Sequence, residues 1–275
     1  MSAVKTAAPP APAPTDNDDA AEPASNPGWL RRLADEDLAL IVTPLMILTF
    51  IGGLALYVGL QDLSSTDERA LAPVLLRNQI VEHIALTAWS TFFVILAAIP
   101  AGIAVTRPSM RRFTPYVMAA ANSGQAVPAY GLLVLLVVIL STGFRTAVLA
   151  LIVYSVLPVL RNTMVGLDQV DRATIEAARG MGMTPRQVLR RIELPLAVPV
   201  ILAGVRTALI INVGTASLAF LIGAGGLGET INSGLKLQRD VVILVGASLT
   251  AVLALTIDWG AALLERRLRP KGLKA

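Results

Sequence analysis

The chain has 275 residues, of which 55% are hydrophobic and only 15% charged, with a net charge of +4, one histidine and no cysteine. A soluble domain carries about 25% charged residues, so the composition points to an integral membrane protein. The lack of cysteine excludes disulfides, zinc–thiolate sites and thiol nucleophiles, and a lone His83 excludes a His-based triad or a multi-His metal site.

Residues 1–28 are rich in Ala, Pro, Asp and Asn, with six prolines. Such a stretch buries too little apolar surface to offset its ordering entropy and reads as a disordered tail. It lacks the charged-then-apolar pattern of a signal peptide. Residues 29–78 then hold a first transmembrane helix and an outer loop, 79–265 a helical core, and 266–275 a basic tail. A bilayer core of about 30 Å needs roughly 20 apolar residues per helix. Six spans satisfy this: 39–60, 82–105, 115–140, 144–161, 197–222 and 241–264. The fourth is short and the third contains the polar stretch "NSGQAVP", so five spans is the alternative count.

Charge sets the expected orientation. With the N-terminus inside, interior segments hold Arg31, Arg32, Arg107, Arg111, Arg112, Arg161, Arg172, Arg179, Arg186, Arg190, Arg191, Arg266, Arg267, Arg269, Lys271 and Lys274. Exterior segments hold Arg69, Arg77, Arg145, Lys236 and Arg239. Sixteen against five fits the positive-inside rule with both termini cytoplasmic, and an even span count.

Ionisable and amide groups at membrane depth are costly and default to functional hypotheses. In the third span, Asn122 and Gln125 either face a solute path or join helices to one another, and Pro128 kinks the helix. In the fifth span, Asn212 and Thr215 are further path candidates. Arg206 and Asp258 fall at similar depth on the last two spans, so they either neutralise each other or snorkel separately. His83 reads as a boundary residue at the outer end of the second span. Arg145, in a short outer loop, is either a plain solvated charge or a contact for a partner. The thirteen aromatics look scattered, apart from Phe92-Phe93, and suggest no cation–π cage for a quaternary ammonium.

The longest interior polar segment, 162–196, reads as two short helices. Asp171 N-caps the first, Gly182 suits the left-handed turn that ends it, and Thr184 with Pro185 opens the second. Ala173, Ala177 and Ala178 beside Ile175 and Met181 present small residues, on which a partner could approach closely. A capped pair of this kind is either a solvated spacer or a docking surface.

This segment resembles a known family. Glu176-Ala177-Ala178, three residues, Gly182, nine residues and Ile192-Glu193-Leu194-Pro195 are similar to the EAA loop of ABC-importer permeases, without a gap. The resemblance runs over about 80–265 and narrows at "LPVLRNT", "IELPLAVPVILAGVRTA" and "LIGAGGLG" to the osmoprotectant branch, importers of glycine betaine, choline, carnitine or proline betaine. A methionine-type or other small-solute importer is the alternative within the class. The resemblance implies an all-α integral membrane protein with a MetI-like ABC permease fold, in a bacterial inner membrane. It implies that Glu176, Ala177, Ala178, Gly180, Gly182, Leu194 and Pro195 couple the membrane helices to a separate ATP-binding subunit, present in two copies. A second permease subunit, identical or related, and an extracytoplasmic substrate-binding protein are the other implied partners, besides membrane lipid; nucleic acid is not one. No Walker-type G-x-x-x-x-G-K-[ST] occurs, so ATP and Mg would be bound by the partner and this chain is expected to hold no cofactor or metal and to be no enzyme itself.

Two other classes fit the residues less well. An ion-driven secondary transporter would show intramembrane carboxylates and inverted repeats; Asp258 is the only acidic residue well inside a span, and no clear repeat is present. Gly223, Gly225 and Gly228 have the G-x-G-x-x-G spacing of a dinucleotide-binding turn. That fingerprint needs a strand before it and an acidic residue about 20 positions later. "SLAFLI" reads instead as the end of the fifth span, and Glu229 and Asp240 stand at the wrong distance. Together with Gly226, these glycines suggest either a close-packed outer gate or a plain flexible loop.

Overall fold

The computed structural model describes residues 28–268; most of the Ala/Pro-rich tail, and Arg269, Lys271 and Lys274 of the basic tail, lie outside the described residues. All regular elements among the described residues are helical. They are α1 (Gly28–Gly59), α2 (Ser65–Ala70), α3 (Pro73–Thr106), α4 (Thr114–Ala126), α5 (Ala129–Ile139), α6 (Phe144–Asp168), α7 (Arg172–Gly180), α8 (Pro185–Val188), α9 (Leu194–Ala216), α10 (Gly228–Leu237) and α11 (Asp240–Leu268).

Five of these segments are long and apolar enough to cross a membrane: Leu40–Gly59, Ser65–Thr106, Phe144–Asp168, Pro185–Ala216 and Asp240–Leu268. The stretch expected as a third straight span is instead α4 and α5, bent by 101°. Pro128 has no N–H to give to the Gly124 carbonyl, and the residue before a proline is pushed out of the helical region. Val127 accordingly lies extended, at φ −81° and ψ 132°.

Helix boundaries also differ from expectation, α3 beginning at Pro73 rather than 82. α6 runs to Asp168 rather than 161, because Arg161 and Asn162 are carried on a helix whose buried face continues through Thr163, Gly166 and Leu167. α9 ends at Ala216. The "SLAFLI" stretch is therefore not the end of that helix but a tightened 3₁₀ turn, Ala219–Ile222, closed by Gly223 in the left-handed region. The polar segment and the fifth span are continuous, since α8 passes through a π-type turn at Leu189–Glu193 into α9. Pro195 cannot donate to the Arg191 carbonyl, and the turn before it widens, with the Leu194 amide donating to the Leu189 carbonyl.

α6 is the spine, with α3 and α9 packed along it. Val94 and Ala98 of α3, Val159 and Leu160 of α6, Ala121 of α4 and Ala208 of α9 form one buried cluster. Leu86, Leu132, Leu133, Ala147, Leu151, Ala216 and Ile222 form a second, towards the glycine turn. Leu167, Ala197 and Ile201 form a third, near the α7–α8 segment. Large apolar side chains such as Leu45, Leu96 and Val138 point outwards. In a bilayer such residues meet lipid rather than water, so they carry little penalty. α1 lies beside α11, where the Trp259 indole N–H donates to the Leu40 carbonyl at 3.0 Å. A cavity of about 610 Å³ between them is lined by Val42, Met46, Phe50, Tyr57, Leu244 and Ser248, among others.

Candidate functional site: a capped helix pair and a latched glycine turn

At one end of the bundle, the segment between α6 and α9 is built as its sequence dictates. The Asp171 carboxylate accepts from the Ala173 amide at 3.2 Å and N-caps α7. Gly182 follows with φ +83°, a conformation that costs an L-residue roughly 1–2 kcal/mol. Thr184 and Gln187 form a reciprocal capping box at the start of α8. Each cap contributes about 1 kcal/mol, so this short pair holds its shape without a core of its own. Ala173, Glu176, Ala177, Gly180 and Met181 are exposed on it. Ala178 is not: its methyl is buried within the chain, which removes it from any surface a partner would touch.

The segment is tied back to the bundle by a pair that sequence reasoning missed. Glu193, only 5% exposed, forms an ion pair with Arg107, with Oε2 at 2.6 Å from Nη2. Arg107 stands just past the end of α3, and its Nε donates to the Ile103 carbonyl at 3.3 Å. The "IELP" motif therefore anchors α9 to α3 through its glutamate, while Leu194 and Pro195 are half-buried beside it.

At the opposite end, the glycines make a turn that is buried from Ala224 onwards. Gly223, Gly225 and Gly226 have φ of +69°, +79° and +96°. A side chain at Gly225 would also overlap the Glu82 carboxylate, and one at Gly226 would sit 3.4 Å from His83 Nδ1. Gly228 opens α10 against the Ser217 carbonyl. Residues 224–228 are buried, as non-helical backbone at membrane depth must be unless it lines water. The turn is pinned by α3. The Gly226 amide donates to Glu82 Oε2 at 3.0 Å and the Leu227 amide to His83 Nδ1 at 3.3 Å. His83 Nε2 donates to the Val213 carbonyl at 2.9 Å, and the Thr230 hydroxyl to Gln79. His83 is fully buried; it is not the boundary residue its position in the sequence suggested. Nearby, Arg239 pairs with Asp67 and donates to the Ser64 hydroxyl, clamping the α10–α11 junction to α2.

Residues 95–270 match the family described as binding-protein-dependent transport system inner membrane component. The chain belongs to that family. The permease is 43% identical over 230 residues to the osmoprotectant import permease protein OsmY of Salmonella typhimurium, covering 84% of this chain and 93% of that one. It is 40% identical to the choline transport system permease protein OpuBB of Bacillus subtilis, over 70% of this chain and 88% of that protein. Among solved structures, a chain of the MetNI methionine ABC transporter in an inward-facing conformation is similar at a TM-score of 0.63 and 28% identity, covering 71% of this chain and 97% of that one.

The remaining sequence candidates fall into distinct places in the permease. Arg206 and Asp258 come together as a two-pronged pair, Nε to Oδ1 at 2.5 Å and Nη2 to Oδ2 at 2.7 Å, joining α9 to α11. Gln125 donates to the Tyr154 carbonyl at 2.9 Å, a link from α4 to α6. Asn212 is fully buried and donates to the Thr91 hydroxyl at 3.0 Å, a link from α9 to α3. Both amides join helices: for Gln125 this is the second of its two roles open from sequence, whereas Asn212 was expected only along the path. Asn122 is exposed and Thr215 half-buried, and Pro128 forms the bend. The aromatic residues are less scattered than their sequence positions suggest. Trp89, Phe92 and Phe93 do cluster, with ring centroids 5.4–6.0 Å apart. Trp89 and Phe93 line a cavity of about 310 Å³ with Phe144 and Arg145. Their i, i+3, i+4 spacing was a legible signal of a shared helix face. No group of three or more His, Cys, Asp or Glu able to hold a metal occurs among the described residues.

Proposed function

We propose that this permease is the membrane-spanning subunit of an ATP-driven importer of osmoprotectants of the quaternary-ammonium type, such as glycine betaine, choline, carnitine or proline betaine. The observation that carries the reading is the exposed, doubly capped α7–α8 pair, continuous with α9. From Pro185 to Ala216 the helix has 32 residues, roughly 48 Å at 1.5 Å per residue. A displacement of α8 by a partner is thus delivered along α9 towards the glycine turn as a rigid-body movement. Glu176, Ala177, Gly180 and Gly182 form the docking surface for the ATP-binding subunit, and Leu194 and Pro195 its junction with α9. ATP and Mg belong to that subunit. Two permease subunits, identical or related, frame the path, and an extracytoplasmic binding protein delivers the solute. Asn122, Thr215 and the bend at Pro128 stand along this path.

Both termini face the cytoplasm of a bacterial inner membrane in this reading, in keeping with the charge bias, and the glycine turn is the outer gate. Identities of 40–43% to osmoprotectant and choline permeases, against 28% to the methionine transporter chain, favour the quaternary-ammonium substrate. The test is uptake by the permease reconstituted with its ATPase and binding protein. ATP-dependent accumulation of radiolabelled glycine betaine or choline is expected. Gly182→Leu, where a Cβ meets nothing in the chain itself, should abolish uptake while membrane insertion persists. Normal uptake by that variant would overturn the docking surface. Accumulation of methionine in place of the betaines would overturn the substrate.

A further inference from the structure

We propose that Gln79, Glu82 and His83 form a latch that holds the outer gate shut, and that the latch must release in each import cycle. The proposal rests on the reading of the glycine turn as that gate. Positions 79, 82 and 83 are spaced i, i+3, i+4 and share one face of α3. Each holds a different point of the chain after α9: Thr230, the Gly226 amide and the Leu227 amide. The two amides belong to a turn whose positive φ angles keep it out of any regular ladder. A buried amide without a partner costs about 1–3 kcal/mol, so the closed turn depends on acceptors lent by α3.

His83 has a role that no other side chain in the latch can fill. The Val213 carbonyl can only accept and the Leu227 amide can only donate, so the ring bridges them as the neutral tautomer with its proton on Nε2. One imidazole thereby ties the end of α9 and the gate to α3 at once. A movement delivered along α9 pulls on that ring directly.

The interface beneath the latch is not saturated in this state. One and two helical turns further along α3 lie Thr87 and Thr91. The Thr91 hydroxyl accepts from Asn212, while the buried Thr87 hydroxyl and the Asn212 carbonyl oxygen have no hydrogen-bond partner among the described residues. Unpaired buried polar atoms call for an explanation. A contact between α3 and α9 that is exchanged for another as the gate opens supplies one. The glycines follow from the same arrangement: a side chain at Gly225 would displace the Glu82 carboxylate.

The chain has no cysteine, so a single introduced thiol reports cleanly. Ala224→Cys, within the buried turn, is placed in the reconstituted transporter. Its reaction with a membrane-impermeant maleimide added outside is timed at rest and in the vanadate-trapped state. The parent should react slowly at rest and faster when trapped. His83→Ala and Glu82→Ala should each raise the resting rate roughly tenfold, the scale of one lost hydrogen bond. The rate at an exposed control, Ser141→Cys, should stay unchanged. Glu82 is itself exposed, so its variant decides the matter if His83→Ala fails to insert. Resting rates within twofold of the parent, with trapping still effective, would overturn the latch and leave the gate standing. A parent that reacts equally in both states would overturn the gate, and the latch with it.

Discussion

Replacing Arg107 with methionine should destabilise the permease more than its position at a helix end suggests. The substitution leaves the Glu193 carboxylate 5% exposed with its ion-pair partner gone. Removing one member of a fully buried pair costs about 3–5 kcal/mol. The Arg107 side chain is 31% exposed, so solvent already screens part of the interaction, and roughly 2–3 kcal/mol is the expected loss. At about 2–4 °C per kcal/mol for a chain of this size, the unfolding midpoint falls by about 5–10 °C. The reverse replacement, Glu193→Met, leaves an arginine that can turn to water and should cost less. Arg107→Met combined with Glu193→Met removes both charges, since two apolar groups can replace a buried pair at little cost. Thermal unfolding of the purified permease in lipid nanodiscs measures all three. The double variant should recover at least about 1 kcal/mol relative to the sum of the singles. Strict additivity, or an Arg107→Met midpoint within a degree of the parent, would refute the claim that this pair anchors α9 to α3.

Three further outcomes follow from the geometry. Gly225→Val adds branched bulk at φ +79° against Glu82 and should lower uptake at least tenfold while binding of the ATPase, measured by co-purification, is unchanged. Asp258→Asn leaves the Arg206 guanidinium without its two-pronged partner and should destabilise by about 1–2 kcal/mol, the half-exposed pair being worth less than a buried one; pairing it with Arg206→Gln should restore most of the loss in the same thermal assay. Asp67→Asn weakens the clamp on Arg239 and should speed hydrogen exchange in the α10–α11 junction without altering that of α6.

Much of this architecture was legible in the sequence, and the reason is local. Spans are set by runs of apolar residues, and helix ends by cap chemistry within three or four positions. Asp171, Gly182, Thr184 and Pro185 therefore did what their types require. Pro128 announced a break, but a 101° bend depends on how α4 and α5 each pack on α6, which no local pattern encodes. The ionic partners of Glu193 and Asp67 lie 86 and 172 residues away in the chain, beyond any spacing rule, whereas Arg206 and Asp258 were legible because equal depth on two spans brings two charges level. His83 was misjudged for a related reason. Its sequence position lies near the start of a span, yet α3 begins at Pro73, ten residues earlier, and carries the ring into the interior. The Trp89 cluster was overlooked because adjacency drew attention to Phe92-Phe93, although helical neighbours stand three and four apart.

Only 6% of the Leu40–Gly59 span of α1 is buried, against 22–39% for the other four. Among the described residues this span meets α11, where the Trp259 indole bonds the Leu40 carbonyl, and the rest of its surface is left to the bilayer. Residues 40–59 are thus the least buried of the five spans, and lengthening or exchanging them is expected to leave the α3–α6–α9 scaffold standing.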